Sequence, residues 1–279
     1  MAYVVPNVLS QSDIDTISQY LYTEDDRTDS RHDYLTKHPR WDVDTWPQEI
    51  VSRAMDRVLG AGTYRVQEID LFEARTSLRV HADSHAPQDQ LHVAVLIPFH
   101  AEPRGNTVFF DNYWRGWTAY FTRRPWSPWS QRYRNQRGGW VDIDDIRQLL
   151  TQCQTDPHSI DWVTVTPAFV SELQQLIAKR STPWTPPEQR EGECLAPPEP
   201  RIHDYTQIEN YRPGQAFPRD VWRQYLQHVD YDDLQGLTLE QVVSWRPGSA
   251  IVWHRSQIHC ASHCHDRKSG ITVMTVKAP

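Results

Sequence analysis

The amino-acid sequence predicts a mainly β chain with flanking helices, arranged as a double-sheet jelly roll that carries a large mixed insertion. Three observations predict it. Strand-period stretches fall in two blocks, 64–112 and 246–278, and do not alternate with helices. Amphipathic helices precede the first block. Between the blocks, from Tyr113 to about Pro200, the β texture is lost. Sheets joined by hairpins, with an insertion covering an edge, accommodate that order better than an alternating βα fold does.

Taken in order, residues 7–22 (NVLSQSDIDTISQYLY) read as a capped helix, with Ser10 or Ser12 at its start and Ile14, Ile17 and Leu21 at helical spacing. Residues 46–59 form a second helix, opened by Pro47 and closed by Gly60. The segment between them is polar and irregular. YRVQEIDLFE (64–73) alternates in the strand period, SLRVHAD (77–83) reads as extended, LHVAVLIPF (91–99) as a buried strand, and NTVFFDN (106–112) as its successor. VDIDDIRQLLTQC and PAFVSELQQLIAKR look helical, STPWTPPEQREGECLAPPEP is a Pro-rich loop, and a further helix spans about 217–229. Strands return at 246–255 and 269–278.

The bulk properties narrow the function. At 279 residues, 38% of them hydrophobic, the chain is long enough to bury a core despite a mean hydropathy of -0.69. Twelve Trp and 20 Pro suit a shaped cleft better than a plain helical bundle. A net charge of -7 argues against general nucleic-acid affinity. No apolar run approaches the ~20 residues that span a bilayer. The first residues lack a basic stretch followed by an apolar one, and Cys153, Cys194, Cys260 and Cys264 show no disulfide spacing, so reduced thiols and a cytoplasmic location are expected.

The chemistry concentrates in two segments. LRVHADS places His81 and Asp83 two apart, so an extended chain aims both at one point. Alone, the pair reads as readily as a hydrogen-bonded surface couple. RPGSAIVWHRSQIHCAS then supplies a turn at Pro247-Gly248, a strand, a short polar linker and a histidine. Two imidazoles and one carboxylate on one face, with further positions open, are the ligand set of non-haem Fe(II) oxygenases. Nine residues after His259 comes Lys268, beside Arg267, a cation placed to hold the far carboxylate of a dicarboxylic co-substrate.

At these residues the chain resembles the Fe(II)/2-oxoglutarate-dependent dioxygenases, whose fold is the cupin-like double-stranded β-helix, and most of all their phage-like and bacterial members. LRVHADS, LHVAVLIPF with GNTVFFDN, and WRPGSAIVWHRSQIHCAS with RKSGITVMT carry the resemblance, over about 64–112 and 236–277. It implies His81, Asp83 and His259 as iron ligands and 2-oxoglutarate and O2 as co-substrates. The basic residue of the last strand falls on Lys268 if no gap is opened, and on Arg267 if the loop is one residue shorter. Thr107, on a neighbouring strand, is a further co-substrate contact. Asp83 as a carboxylate speaks against halogenation, which in the family needs a small residue there.

Other residues have plainer readings. His254 stands at a strand position where the family has no ligand. Cys260, His263, Cys264 and His265 lack the second separated pair of a structural zinc site and read as a polar loop. His85 and His92 flank the HxD segment as neighbours or surface residues. Arg79 shares a face with His81 in an ideal strand, as a candidate substrate contact or the partner of an acid. Trp114 opens a Trp- and Arg-rich stretch, 113–140, that reads either as a substrate-stacking surface or as the insertion's own core. Arg123, Arg124, Arg132, Arg134 and Arg137 in it prefer anions or pair with Asp142, Asp144 and Asp145.

The expected organisation is one catalytic domain: a helical part at 1–62, a core from 63–112 and 241–279, and an insertion or lid at 113–240. The expected activity is hydroxylation of a small molecule or peptide. The alternatives are a jelly-roll metal- or ligand-binding module without catalysis and a zinc-dependent hydrolase. Only iron with 2-oxoglutarate accounts for Lys268.

Overall fold

The computed structural model describes residues 1–22, 28–31, 34–37, 39, 46–74, 77–84, 86–100, 105–123, 132–134, 140–142, 150–151, 154–155, 170–171, 174, 201–202, 204–262 and 267–278. The chain divides into two compact units, Met1–Arg124 with Glu199–Pro279, and Pro125–Pro198. The second unit is narrower than the expected insertion. Within it, β9 (Arg132–Arg134) and β10 (Trp140–Asp142) pair antiparallel.

The first unit is mainly β, with two sheets and few helices. A seven-stranded sheet runs β1 (Tyr3–Val5), β13 (Ala250–His254), β6 (Leu91–His100), β15 (Lys268–Lys277), β4 (Tyr64–Ala74), β3 (Tyr34–Lys37), β2 (Thr28–Arg31). A six-stranded sheet runs β11 (Arg201–Ile202), β8 (Ala119–Phe121), β5 (His81–Ala82), β14 (Gln257–Ala261), β7 (Asn106–Tyr113), β12 (Leu239–Ser244). Pairing is antiparallel except between β11 and β8. From β4 to β7 and from β12 to β15, successive strands alternate between the two sheets.

The two-residue period of the strands sorts side chains into three layers. Ile69, Leu71, Val95, Ile97, Ile271 and Val273 point outward from the larger sheet onto α1 (Gln11–Leu21) and α2 (Gln48–Leu59), meeting Ile14, Ile17, Val51 and Met55. Phe72, Leu96, Trp253 and Met274 point inward and meet Phe109 and Trp245. Val108, Phe110, Ile258 and Cys260 face outward from the smaller sheet onto Phe217, Leu226 and Leu234. Each such side chain, fully buried, contributes about 1.5–3 kcal/mol. Ser10 begins α1 in a capping box with Asp13, as its position predicts.

Several elements differ from expectation. The polar segment before α2 contains the β2–β3 hairpin, held to β4 by backbone pairing. β texture continues past Tyr113 in β8 and returns early in β12. The stretch after His254 forms strand β14, because Ile258 and Cys260 enter the outer core. The extended stretch 77–83 shortens to β5, since the Asp83 N–H goes to the Arg255 carbonyl. The helix expected at 217–229 is confined to α3 (Arg219–Tyr225). Among the described residues, no helix is long and apolar enough to cross a membrane.

Candidate metal centre and its cavity

His81 and His259 face each other across the β5–β14 ladder as direct partners, their ring centroids 4.2 Å apart. Asp83, two residues beyond His81, brings its carboxylate to 3.6 Å from His81 Nε2 and 3.2 Å from His259 Nε2. All three side chains are buried. Their donor atoms lie within 4.8 Å of one another, the grouping of this kind that the described residues contain.

Hydrogen bonding decides which ring nitrogens are available. His81 Nδ1 lies 2.6 Å from the Arg79 carbonyl and His259 Nδ1 3.0 Å from the Gln257 carbonyl. A carbonyl only accepts, so each Nδ1 carries a proton, and in the neutral ring each Nε2 keeps its lone pair. Burial, and then the adjacent His81, push the His259 imidazole down to about 4, against the pull of Asp83. His259 is therefore neutral near pH 7, the form that binds metals. The two lone pairs and the carboxylate then converge, and Asp83 Oδ2 has no hydrogen-bond partner although it is buried. Electron-rich atoms packed this way repel unless a cation lies among them. The residues fit a divalent metal, and nitrogen-rich, sulfur-free ligation suits ferrous iron.

The centre opens on a cavity of about 120 Å³ between the sheets. Lys268, Thr107, Trp245, Trp253, Thr272 and Met274 line it, with Leu78 and Asp70. Lys268 is buried, its Nζ 5.4 Å from the centre of the Trp245 ring and 3.4 Å from Ser77 Oγ. Thr107 Oγ1 accepts from Trp245 Nε1 at 2.8 Å. Trp253 packs its ring 4.9 Å from that of His259.

The other candidate residues separate from the centre. Arg267 leaves the cavity and pairs with Glu73 at 2.7 Å, also donating to the Tyr22 hydroxyl. Arg79 contributes the carbonyl that holds His81, and its side chain does not line the cavity. Trp114 is buried in the outer core, stacked edge-on against Phe121, with its indole N–H donating to the Trp117 carbonyl at 2.7 Å. The fold thus gives it a packing place and does not bring it to the cavity. His254 Nδ1 meets Ser256 Oγ. Cys260 faces away from His259, its Sγ 3.6 Å from His228 Nε2. Arg123 is held among Tyr205, Tyr211 and Gln235. His85, Arg124, Arg137, Asp144, Asp145, Cys153, Cys194, His263, Cys264 and His265 lie outside the described residues, as do the side chains of Arg132, Arg134 and Asp142.

Sequence reasoning missed Trp245, Trp253, Ser77 and Arg255 as parts of the site. The inward period of β13 signals Trp253. Nothing local signals the others.

Solved structures match the chain over nearly its whole length at low identity. A prolyl-4-hydroxylase from Pseudomonas putida shares 7% identity over 100% of this chain and 93% of its own, at a TM-score of 0.39. An oxidoreductase of the 2OG-Fe(II) oxygenase family from Burkholderia pseudomallei shares 8% over 99% and 84%, at 0.41. The non-heme alpha ketoglutarate dependent carbocyclase SnoK from nogalamycin biosynthesis shares 13% over 99% and 80%, at 0.42. No family model matches the sequence, and no curated protein does. The functional reading therefore rests on this chain's own residues.

Proposed function

We propose that the chain is an Fe(II)- and 2-oxoglutarate-dependent oxygenase that hydroxylates a small molecule or peptide, built on a double-stranded β-helix. The alternation of β4–β7 and β12–β15 between two sheets supports the fold reading. One observation carries the function: His81, Asp83 and His259 converge in a buried cavity that also holds the Lys268 ammonium.

In this reading His81 Nε2, His259 Nε2 and the Asp83 carboxylate hold the iron. Ferrous iron held there would supply oxygen activation, with one atom of O2 going into succinate as 2-oxoglutarate loses carbon dioxide and the other into a substrate C–H bond. The protein's contribution is placement and exclusion of water. Carbonyls 79 and 257 lock both imidazoles in the ligating tautomer. Lys268 takes the far carboxylate of 2-oxoglutarate, a charge-assisted contact strengthened by the surrounding apolar wall. Thr107, its oxygen already accepting from Trp245, has its own proton to donate to the same co-substrate. Trp253, Leu96 and Met274 keep bulk water from the reacting atoms.

The test is direct. Anaerobic protein with Fe(II) and 2-oxoglutarate should develop a metal-to-ligand charge-transfer band, and succinate should form once O2 is admitted. His259→Ala should remove both signals, whereas His263→Ala and His265→Ala should leave them. Bound metal with neither band nor succinate would sink the oxygenase reading.

A further inference from the structure

Among the described residues, the largest fully buried side chain is charged. Arg255, in the turn between β13 and β14, is 0% exposed. A guanidinium out of water is costly unless its donors are used and a negative charge lies near. Among the described residues it makes no ion pair; Nε and Nη1 go to backbone and amide oxygens instead, and Nη2 is buried without a hydrogen-bond partner. Nε donates to the Asp83 carbonyl at 3.0 Å, and Nη1 donates to Gln67 Oε1 at 2.5 Å and to the Thr275 carbonyl at 3.1 Å. The backbone closes the circuit, since the Asp83 N–H donates to the Arg255 carbonyl at 3.1 Å.

Asp83 lies just beyond β5, which is two residues long, so no ladder fixes it. Both of its backbone groups are satisfied by Arg255. Through Arg255 its position is referred to Gln67 on β4 and Thr275 on β15, two strands of the larger sheet. The other two converging groups sit within the smaller sheet. The carboxylate is thus tied to one sheet and the imidazoles to the other.

We infer that Arg255 is a positioning residue for Asp83, setting the place of the carboxylate and with it the affinity of the centre for a divalent metal. This rests on the metal-centre reading above. The guanidinium acts through the Asp83 backbone and touches neither metal nor substrate. Its fork explains why lysine is no equivalent: a single ammonium cannot bridge the Asp83 carbonyl, Gln67 and Thr275 with the same planar geometry.

The test uses Co(II) without 2-oxoglutarate or O2, read by visible d–d absorption, beside thermal unfolding of the metal-free protein. Arg255→Lys should bind Co(II) roughly 10- to 100-fold more weakly, the range for loss of a group that orients a metal ligand. In an Asp83→Ala background, titrated into the millimolar range, the same substitution should change affinity by less than twofold, because the group it positions is gone. An Arg255→Lys protein that binds like wild type, or that loses the same factor in both backgrounds, overturns the inference. If Arg255→Lys does not fold, Gln67→Ala on the exposed side of β4 decides. Weaker Co(II) binding at unchanged thermal midpoint supports it, and unchanged binding overturns it. Failure of the wild type itself to bind Co(II) would remove the metal centre, a result recognisable without any variant.

Discussion

Lys268 and Arg267 are adjacent in the chain yet face opposite ways: Lys268 turns into the cavity over Trp245, and Arg267 turns out to Glu73. The sequence left the choice between them open, and their surroundings separate them. A charge-assisted contact of the kind proposed for Lys268 contributes about 1.5–3 kcal/mol. Lys268→Met should therefore raise the 2-oxoglutarate concentration that half-saturates the charge-transfer band roughly 10- to 100-fold. Arg267→Ala should leave it within twofold. A larger effect from Arg267 than from Lys268 would reverse the assignment.

Trp114 belongs to packing. Its indole fills the outer core beside Phe121, and its one polar atom is already used on Trp117. Trp114→Ala should cost roughly 3–5 kcal/mol of stability, as for other buried aromatic truncations. Trp114→Phe should cost less and leave the affinity for 2-oxoglutarate unchanged. Urea unfolding and the same optical titration measure the two effects separately. A Trp114→Phe variant of full stability but altered turnover would restore a substrate role.

Much of this arrangement was legible because periodicity is local. The alternation of YRVQEIDLFE places Leu71 and Phe72 on opposite faces, and the structure buries them in different layers. The HxD spacing and the basic pair were legible for the same reason. What stayed hidden depends on distant residues. β2 and β3 announce no apolar period because the ladder to β4 places them; Leu35, for instance, stands opposite Glu73. β5 is short because Arg255, 172 positions away from Asp83, takes up its hydrogen bonds. A lone arginine after a strand reads as the strand's solvated end. Only the fold brings residues 67, 83 and 275 around it.

Cys260, next in the chain to His259, should be chemically quiet. Burial pushes its thiol up to about 12, with Lys268 and Arg79 pulling weakly the other way. Since the thiolate is the nucleophile, almost none is present at pH 8. Native protein treated with iodoacetamide at that pH should show negligible alkylation of the Cys260 peptide by mass spectrometry, and full alkylation in urea. Rapid labelling of Cys260 in the folded protein would contradict its enclosure.

The depressed imidazole of His259 predicts how stability responds to acid. An ordinary histidine in the unfolded chain takes up its proton near pH 6.5. Folded His259 does so only at about 4, because burial and His81 oppose the charge. Between those values the unfolded state binds a proton that the folded state refuses, so stability falls as pH falls through the window. Above pH 6.5 both states are neutral and the effect vanishes. At its limit the loss is roughly 3 kcal/mol, because each pH unit across that window costs about 1.36 kcal/mol. The metal-free protein should accordingly lose urea resistance from pH 7 to pH 4.5, with about one proton more in the slope than His259→Asn shows. Equal slopes for the two proteins would mean that His259 is protonated in the fold, and the lone pair assigned to its Nε2 would not exist.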